Sequence, residues 1–208
     1  MRNKHKKAVA LFMNRLYAKG LTTTSGGNVS IRVNNKIYIT PSQTDKGNMK
    51  PKQIGVVTIE GSNLTPKLRL SMETGMHIAI YKTRKDVNAI VHAHPYTATA
   101  LSATPDLIDT RINGEARAML GKPAFAPYAT MGTPDLAKVA ADAIKHSNAI
   151  ILQHHGILTA GETLLQAFDR LELMEMTARA TILRKIANIE DHISGEQIAI
   201  IDRMFDQP

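Results

Sequence analysis

The sequence predicts a single α/β domain over residues 1–208, and three observations predict it. At 208 residues and 43% apolar content, the chain is long enough to bury a real core. Two apolar runs, VNAIVHAH (87–94) and NAIILQHH (148–155), suit buried strands. Between and after them lie segments whose apolar residues recur at helical spacing. No internal repeat, low-complexity tract or linker divides the chain.

The elements follow in order. Residues 6–19 form a first helix with Ala8, Leu11, Phe12, Leu16 and Tyr17 on its apolar face, ended by Gly20 as a left-handed cap. In LTTTSGGNVSIRV, Gly26 and Gly27 follow Ser25, and Asn28 precedes a strand. Paired glycines let backbone N–H groups converge on an anion, with Ser25 and Asn28 as further donors, although an ordinary glycine-rich turn looks the same. Residues 29–33 and 36–40 predict a hairpin around Asn34 and Asn35. The loop PSQTDKG offers Ser42, Gln43 and Thr44 as ligand donors, and IGVVTIEG is a further strand and turn.

Ser71 is the expected N-cap of a helix whose buried face is Met72, Met76, Ala79 and Ile80. Glu73 in its first turn either complements the helix dipole or is a carboxylate held near a metal. The strand VNAIVHAH follows, then a helix-like PYTATAL. Residues 105–115 read as loop, and PAFAPYATMGTP as a strand running into a loop. Pro134 opens the next helix after a Thr133 cap. NAIILQHHGILTAG reads as one buried strand bearing His154, His155 and Gly156. A helix from about Leu164 to Asn188 buries Ala167, Leu171, Met174, Ala178 and Leu183, and a shorter helix lies in HISGEQIAIIDRMF.

Composition narrows the chemistry. The chain has no Cys, which excludes a disulfide framework and thiolate metal sites. A metal would have to use His and carboxylate, a donor set that suits zinc, manganese, cobalt or iron. The formal charge is +8, but aromatics are only 4%, and Lys and Arg are scattered apart from Arg2, Lys4, Lys6 and Lys7. That pattern fits a basic surface favouring small anions rather than a nucleic-acid platform. No apolar run approaches the ~20 residues that cross a bilayer. The basic N-terminal segment is amphipathic and interrupted by Asn14, Arg15 and Lys19, unlike a signal peptide, so a cytoplasmic protein is expected.

His92 and His94 are spaced i, i+2 on a strand, so both imidazoles point to one face. Alone, such a pair is ambiguous between buried hydrogen-bonded histidines and metal ligands. A second strand end carrying His155 strengthens the metal reading, because three His ligands leave coordination positions open for chemistry. Gly156 lets the backbone turn close to that site.

Taken together, SGGNVS, ITPS, SMETGMHIAIY, AIVHAHPYTATALS, APYATMGT and LQHHG resemble the class II aldolase family, in its L-fuculose 1-phosphate aldolase branch. The resemblance runs from Gly20 to the helix after Gly156. It implies an α/β/α sandwich with a central, mainly antiparallel sheet, assembled as a C4 homotetramer. It implies one divalent metal per subunit, commonly zinc, held by His92, His94 and His155. Glu73 would be the acid/base and could also ligate the metal. A phosphate pocket would fall on Ser25, Gly27, Asn28, Ser42 and Ser71, with Gln43 replacing some donation, and His154 would be structural or support the ligands. The implied activity is cleavage of a ketose 1-phosphate to dihydroxyacetone phosphate and an aldehyde. Alternatives on the same site are a sugar-phosphate 4-epimerase or a methylthioribulose-phosphate dehydratase. A non-catalytic scaffold like the adducin head is disfavoured because all three His and Glu73 are present.

The sequence departs from the branch at the substrate side. Met72 stands where a second serine is usual, and Ser42-Gln43 replaces a Thr-Gly pair. Asn113 falls at the position of a tyrosine proton donor from a neighbouring subunit, and Tyr128 is a different position. Glu115 is ionisable and nearby in sequence, but reads equally well as a surface residue. A 5-deoxypentulose phosphate, another ketose phosphate or a non-phosphorylated acid therefore stays open as substrate.

Overall fold

The computed structural model describes residues 2–205. The chain runs α1 (Arg2–Ala18), β1 (Asn28–Val33), β2 (Lys36–Ile39), β3 (Gly55–Thr58), α2 (Thr74–Thr83), β4 (Ala89–Ala93), α3 (Tyr96–Ala100), α4 (Gly114–Leu120), β5 (Ala124–Ala126), α5 (Pro134–Ala143), β6 (Ala149–Leu152), β7 (Gly156–Gly161), α6 (Leu164–Ile186) and α7 (Gly195–Phe205). The strands form one seven-stranded sheet in the order β3-β2-β1-β4-β7-β6-β5. Every pairing is antiparallel except β5 with β6. The expected α/β architecture with a mainly antiparallel sheet is what the chain adopts.

Strand alternation sends side chains into two separate cores. Val29, Ile31, Val91 and Ile157 pack with Val9, Met13 and Leu16 of α1 and Phe168, Leu171 and Met174 of α6. Ile37, Ile90, Ile150 and Leu158 pack on the opposite side with Met76, Ile80 and Tyr81 of α2 and Leu136 and Ala140 of α5. Because Ile90 faces the α2 side, so does His92 two residues on.

Several expectations are corrected. In α1 the buried face is Val9, Ala10, Met13 and Leu16, whereas Leu11 and Tyr17 are exposed. Leu11 and Tyr17 also obey helical spacing, but they lie outside the buried face, with the Tyr17 ring against Gly47. In α6, Leu183 is exposed, because the last turns run past the sheet. The helix expected from Ser71 begins at Thr74, and Glu73 occupies the N-cap position. Ser71 instead closes a preceding turn: its carbonyl accepts the Thr74 N–H and its Oγ the Glu73 N–H. Met72 is therefore outside the helix and exposed. The run expected as one strand is a hairpin, β6 and β7, that reverses at His154 (φ 50°) and His155. The stretch 105–115, expected as loop, runs at its end into α4, which the Asn113 side chain opens by accepting the Ala116 N–H. The Gly20 cap, the hairpin at Asn34 and the Thr133–Pro134 helix start are as expected.

Candidate metal and catalytic site

The site forms where three pieces of chain meet beside β4. His92 sits on β4 directly opposite Asn28 of β1, and its other cross-strand neighbour is Leu158 of β7. His94 follows two residues later on the same face. His155 lies in the β6–β7 turn, and Gly156 permits that turn to close down. A Cβ at Gly156 would stand 2.6 Å from the Ala93 carbonyl oxygen and 2.7 Å from His94 Cδ2. Glu73 enters from the N-cap of α2.

These four side chains converge. Glu73 Oε2 lies 3.3 Å from His92 Nε2, and Glu73 Oε1 lies 3.2 Å from His155 Nε2. His94 Nε2 is 3.2 Å from His92 Nε2. One donor atom from each of His92, His94 and His155 falls within 4.8 Å of the others. His92 and Glu73 are buried, and His155 nearly so. His92 Nδ1 donates to the Ile157 carbonyl at 2.9 Å, so its Nε2 is the nitrogen turned into the cluster.

The electrostatics of this group are strained toward a cation. Burial opposes charge on Glu73, but His92 and His155 outweigh it and hold the carboxyl well below its usual range. Burial pushes His92 down, yet the Glu73 carboxylate more than restores it, and the net shift is upward. His94 is pushed down to about 3, by burial first and then by the neighbouring His92 and His155. Protons alone therefore satisfy the donors poorly. Glu73 Oε1 and both ring nitrogens of His155 are buried without a well-aligned hydrogen bond, although Oε1 and His155 Nε2 approach to 3.2 Å. Buried orphans of this kind carry a cost that a bound ion would remove. The donor set, three imidazoles and one carboxylate, fits a divalent transition metal held by His92, His94 and His155.

The remaining expected site residues divide. Gly27 (φ 66°) lies against β4, where a Cβ would stand 2.8 Å from the His92 carbonyl oxygen, and one at Gly26 would stand 3.2 Å from His94 Nδ1. The Ser25–Gly27 loop thus covers the His pair. Ser42 Oγ accepts the Met72 N–H, and Ser42 N–H donates to the Arg69 carbonyl, so the Ser42 loop is knitted to residues 69–72. Gln43 (φ 50°) accepts from Arg69 Nη1 at 2.6 Å. Asn28 has its amide turned inward, donating to Glu73 Oε2 at 2.7 Å. The His154 side chain is exposed, as are Glu115 in the first turn of α4 and Tyr128. Buried ionisable residues beyond those expected include His77, Lys46 and Glu175. His77, one turn after Glu73, could have been suspected from its i, i+4 spacing, but Lys46 and Glu175 carry no local signal.

The fold and this site define a class II aldolase. The Class II Aldolase and Adducin N-terminal domain family matches residues 7–182, and the chain belongs to that family. It is 32% identical over 178 residues to the L-fuculose phosphate aldolase of Methanocaldococcus jannaschii, covering 86% of this chain and 96% of that one. It is 31% identical to the 3-oxo-tetronate 4-phosphate decarboxylase of Haemophilus influenzae, covering 78% and 80% of the two chains. A solved L-fuculose 1-phosphate aldolase superposes with a TM-score of 0.86 at 31% identity, covering 98% of this chain and 96% of that one. Within the family the chain falls in the L-fuculose-phosphate-aldolase-like branch, whose members are metal-dependent enzymes. No helix among the described residues is long and apolar enough to cross a membrane.

Proposed function

We propose that the protein cleaves a small ketose 1-phosphate to dihydroxyacetone phosphate and an aldehyde, using one divalent ion, zinc in the first instance, on His92, His94 and His155. The observation that carries this reading is Glu73, whose two oxygens reach His92 and His155 within 3.3 Å. When bound, such an ion supplies Lewis-acid stabilisation of the negative charge that develops as the bond beside a carbonyl breaks. Glu73 moves the proton at the carbon that carries this charge: it takes the proton in the aldol direction and returns it in cleavage. The Ser25–Gly27 loop and the Ser42–Gln43 and Ser71 segments hold the phosphate away from the reacting atoms, which turns remote binding into catalysis. A homotetramer is the assembly that goes with this reading.

A second reading is decarboxylation of a phosphorylated 3-oxo acid, favoured by the decarboxylase relative and by Asn113. Loss of CO2 leaves the same kind of carbon nucleophile for Glu73 to protonate, and it dispenses with the proton donor whose position Asn113 occupies.

The test is a screen of ketose 1-phosphates, aldehyde acceptors with dihydroxyacetone phosphate, and 3-oxo acid phosphates, on metal-loaded protein. Glu73→Gln should lose nearly all proton exchange on dihydroxyacetone phosphate while retaining metal. Wild-type exchange in that variant would refute the acid/base role. Turnover confined to the 3-oxo acids would select the second reading.

A further inference from the structure

Behind Glu73 lies a row of polar side chains that reach no solvent. Asn28, Ser30, His77 and Tyr81 come from β1 and α2, and all are buried, the last three completely. Asn28 Nδ2 donates to Glu73 Oε2 at 2.7 Å. Asn28 Oδ1 meets His77 Nε2. His77 Nδ1 meets Ser30 Oγ at 2.7 Å, and Ser30 Oγ meets Tyr81 Oη at 2.8 Å.

The direction of every bond in this row follows from its end. A carboxylate oxygen only accepts, so the Asn28 amide nitrogen faces Glu73, and Asn28 Oδ1 must face His77. An amide oxygen only accepts, so His77 carries its proton on Nε2. Burial, with the charge of His92 adding to it, pushes His77 down to about 3 and keeps it neutral, which leaves Nδ1 as an acceptor. Ser30 then donates to His77 and accepts from Tyr81. Burial raises the Tyr81 hydroxyl above its ordinary value, so it remains a donor. Four consecutive bonds thus point the same way, from Tyr81 to the carboxylate. Aligned bonds polarise one another and hold their acceptor in one orientation, more so in a low-dielectric interior.

We propose that Asn28 and His77 are positioning residues for Glu73: the directed row ending at Asn28 Nδ2 fixes Oε2 and thereby aims Oε1 into the histidine cluster, 3.2 Å from His155 Nε2, where it would face the reacting carbon. This rests on the reading of Glu73 as acid/base and gives Asn28 a role beyond the phosphate pocket, since its amide nitrogen donates one of two hydrogens to Glu73 and keeps the other. A residue of the phosphate pocket and a positioning residue predict different kinetics.

Two measurements test it. In nitrogen-15 spectra of the unsubstituted protein, His77 should be the neutral Nε2–H tautomer at neutral pH, and the Nδ1–H tautomer or an imidazolium would overturn the assignment. This readout needs no turnover, so it stands even if the aldolase reading fails. In the metal-loaded enzyme, Asn28→Ala should lower kcat for proton exchange about 100-fold, the scale of a misplaced reacting group, whether or not inhibition by inorganic phosphate also weakens. Weakened phosphate inhibition with kcat retained would confine Asn28 to the phosphate pocket and refute the proposal. His77→Gln keeps an N–H donor for Asn28 and should recover part of the activity that His77→Leu loses, whereas equal losses in the two, both folded by circular dichroism, would also count against it.

Discussion

Glu175 of α6 reaches Ala98 of α3, its Oε2 accepting the Ala98 N–H at 2.8 Å. The same carboxylate accepts the Thr97 N–H and the Arg179 guanidinium. Both amides belong to the first turn of the helix that begins just after His94 and Pro95. A buried carboxylate on the longest helix therefore pins the exit of the ligand strand. Glu175→Ala leaves two N–H groups without their acceptor and should cost about 2 kcal/mol of stability. It should also weaken metal retention about tenfold, as loss of a ligand's supporting contact does. Urea denaturation and competition with a chromogenic chelator measure the two effects. A stability loss with unchanged metal affinity would show that α3 does not position His94.

That contact also marks what the sequence can and cannot reveal. Period-two alternation was enough to put His92 and His94 on one face, and a single turn-and-strand pattern placed the β1–β2 hairpin. Local cues misled where two structures share one pattern. Ser71 has the chemistry of an N-cap, yet it closes a turn three residues before α2. The apolar run around His154 and His155 carries no turn residue except Gly156, so the reversal between β6 and β7 was hidden. The short α4 had only Asn113 to announce it. Partners distant in sequence were invisible in principle: Glu175 lies 78 residues from Thr97, and only the packing of α6 on the sheet brings them together.

Lys46 provides a pH-dependent case. Its ammonium is buried, donates to the Pro41 carbonyl, and has no carboxylate within ion-pair distance among the described residues. Its backbone N–H donates to the Thr24 carbonyl, so this one residue ties the glycine loop to the Ser42 loop. Burial pushes its pKa from 10.5 down to about 8. Between those two values the unfolded chain binds the proton and the folded one does not, so this residue's contribution to stability grows as pH rises through that window and is lost as pH falls through about 8. The stability of the wild type relative to Lys46→Met should therefore rise by roughly 2 kcal/mol from neutral pH to about pH 10, because the other groups cancel in the comparison. Parallel urea titrations of the two proteins at several pH values give the slope. A difference independent of pH would mean that Lys46 is solvated in the folded state.

Gly156→Ala isolates the close approach at the site. The new Cβ would meet the Ala93 carbonyl oxygen at 2.6 Å and His94 Cδ2 at 2.7 Å. The Ala93 backbone cannot yield easily, since Ala93 pairs with Ile157 in the middle of the sheet. The His94 ring is the softer neighbour and has to move, which takes its Nε2 away from His92. The expected result is a metal affinity lower by about tenfold or more, at a stability cost of about 1–3 kcal/mol for overpacking. Gly75→Ala is the matched control. Gly75 lies in the first turn of α2, two residues from Glu73, and its Cβ would meet nothing within 4 Å. Alanine there should stabilise the protein by about 0.5–1 kcal/mol through helix propensity and leave metal binding intact. Calorimetric titration with zinc and thermal melts on both variants make the comparison. Equal metal affinity in Gly156→Ala and wild type would mean that the β6–β7 turn can relax away from His94, and that the glycine is not what brings His155 to the pair.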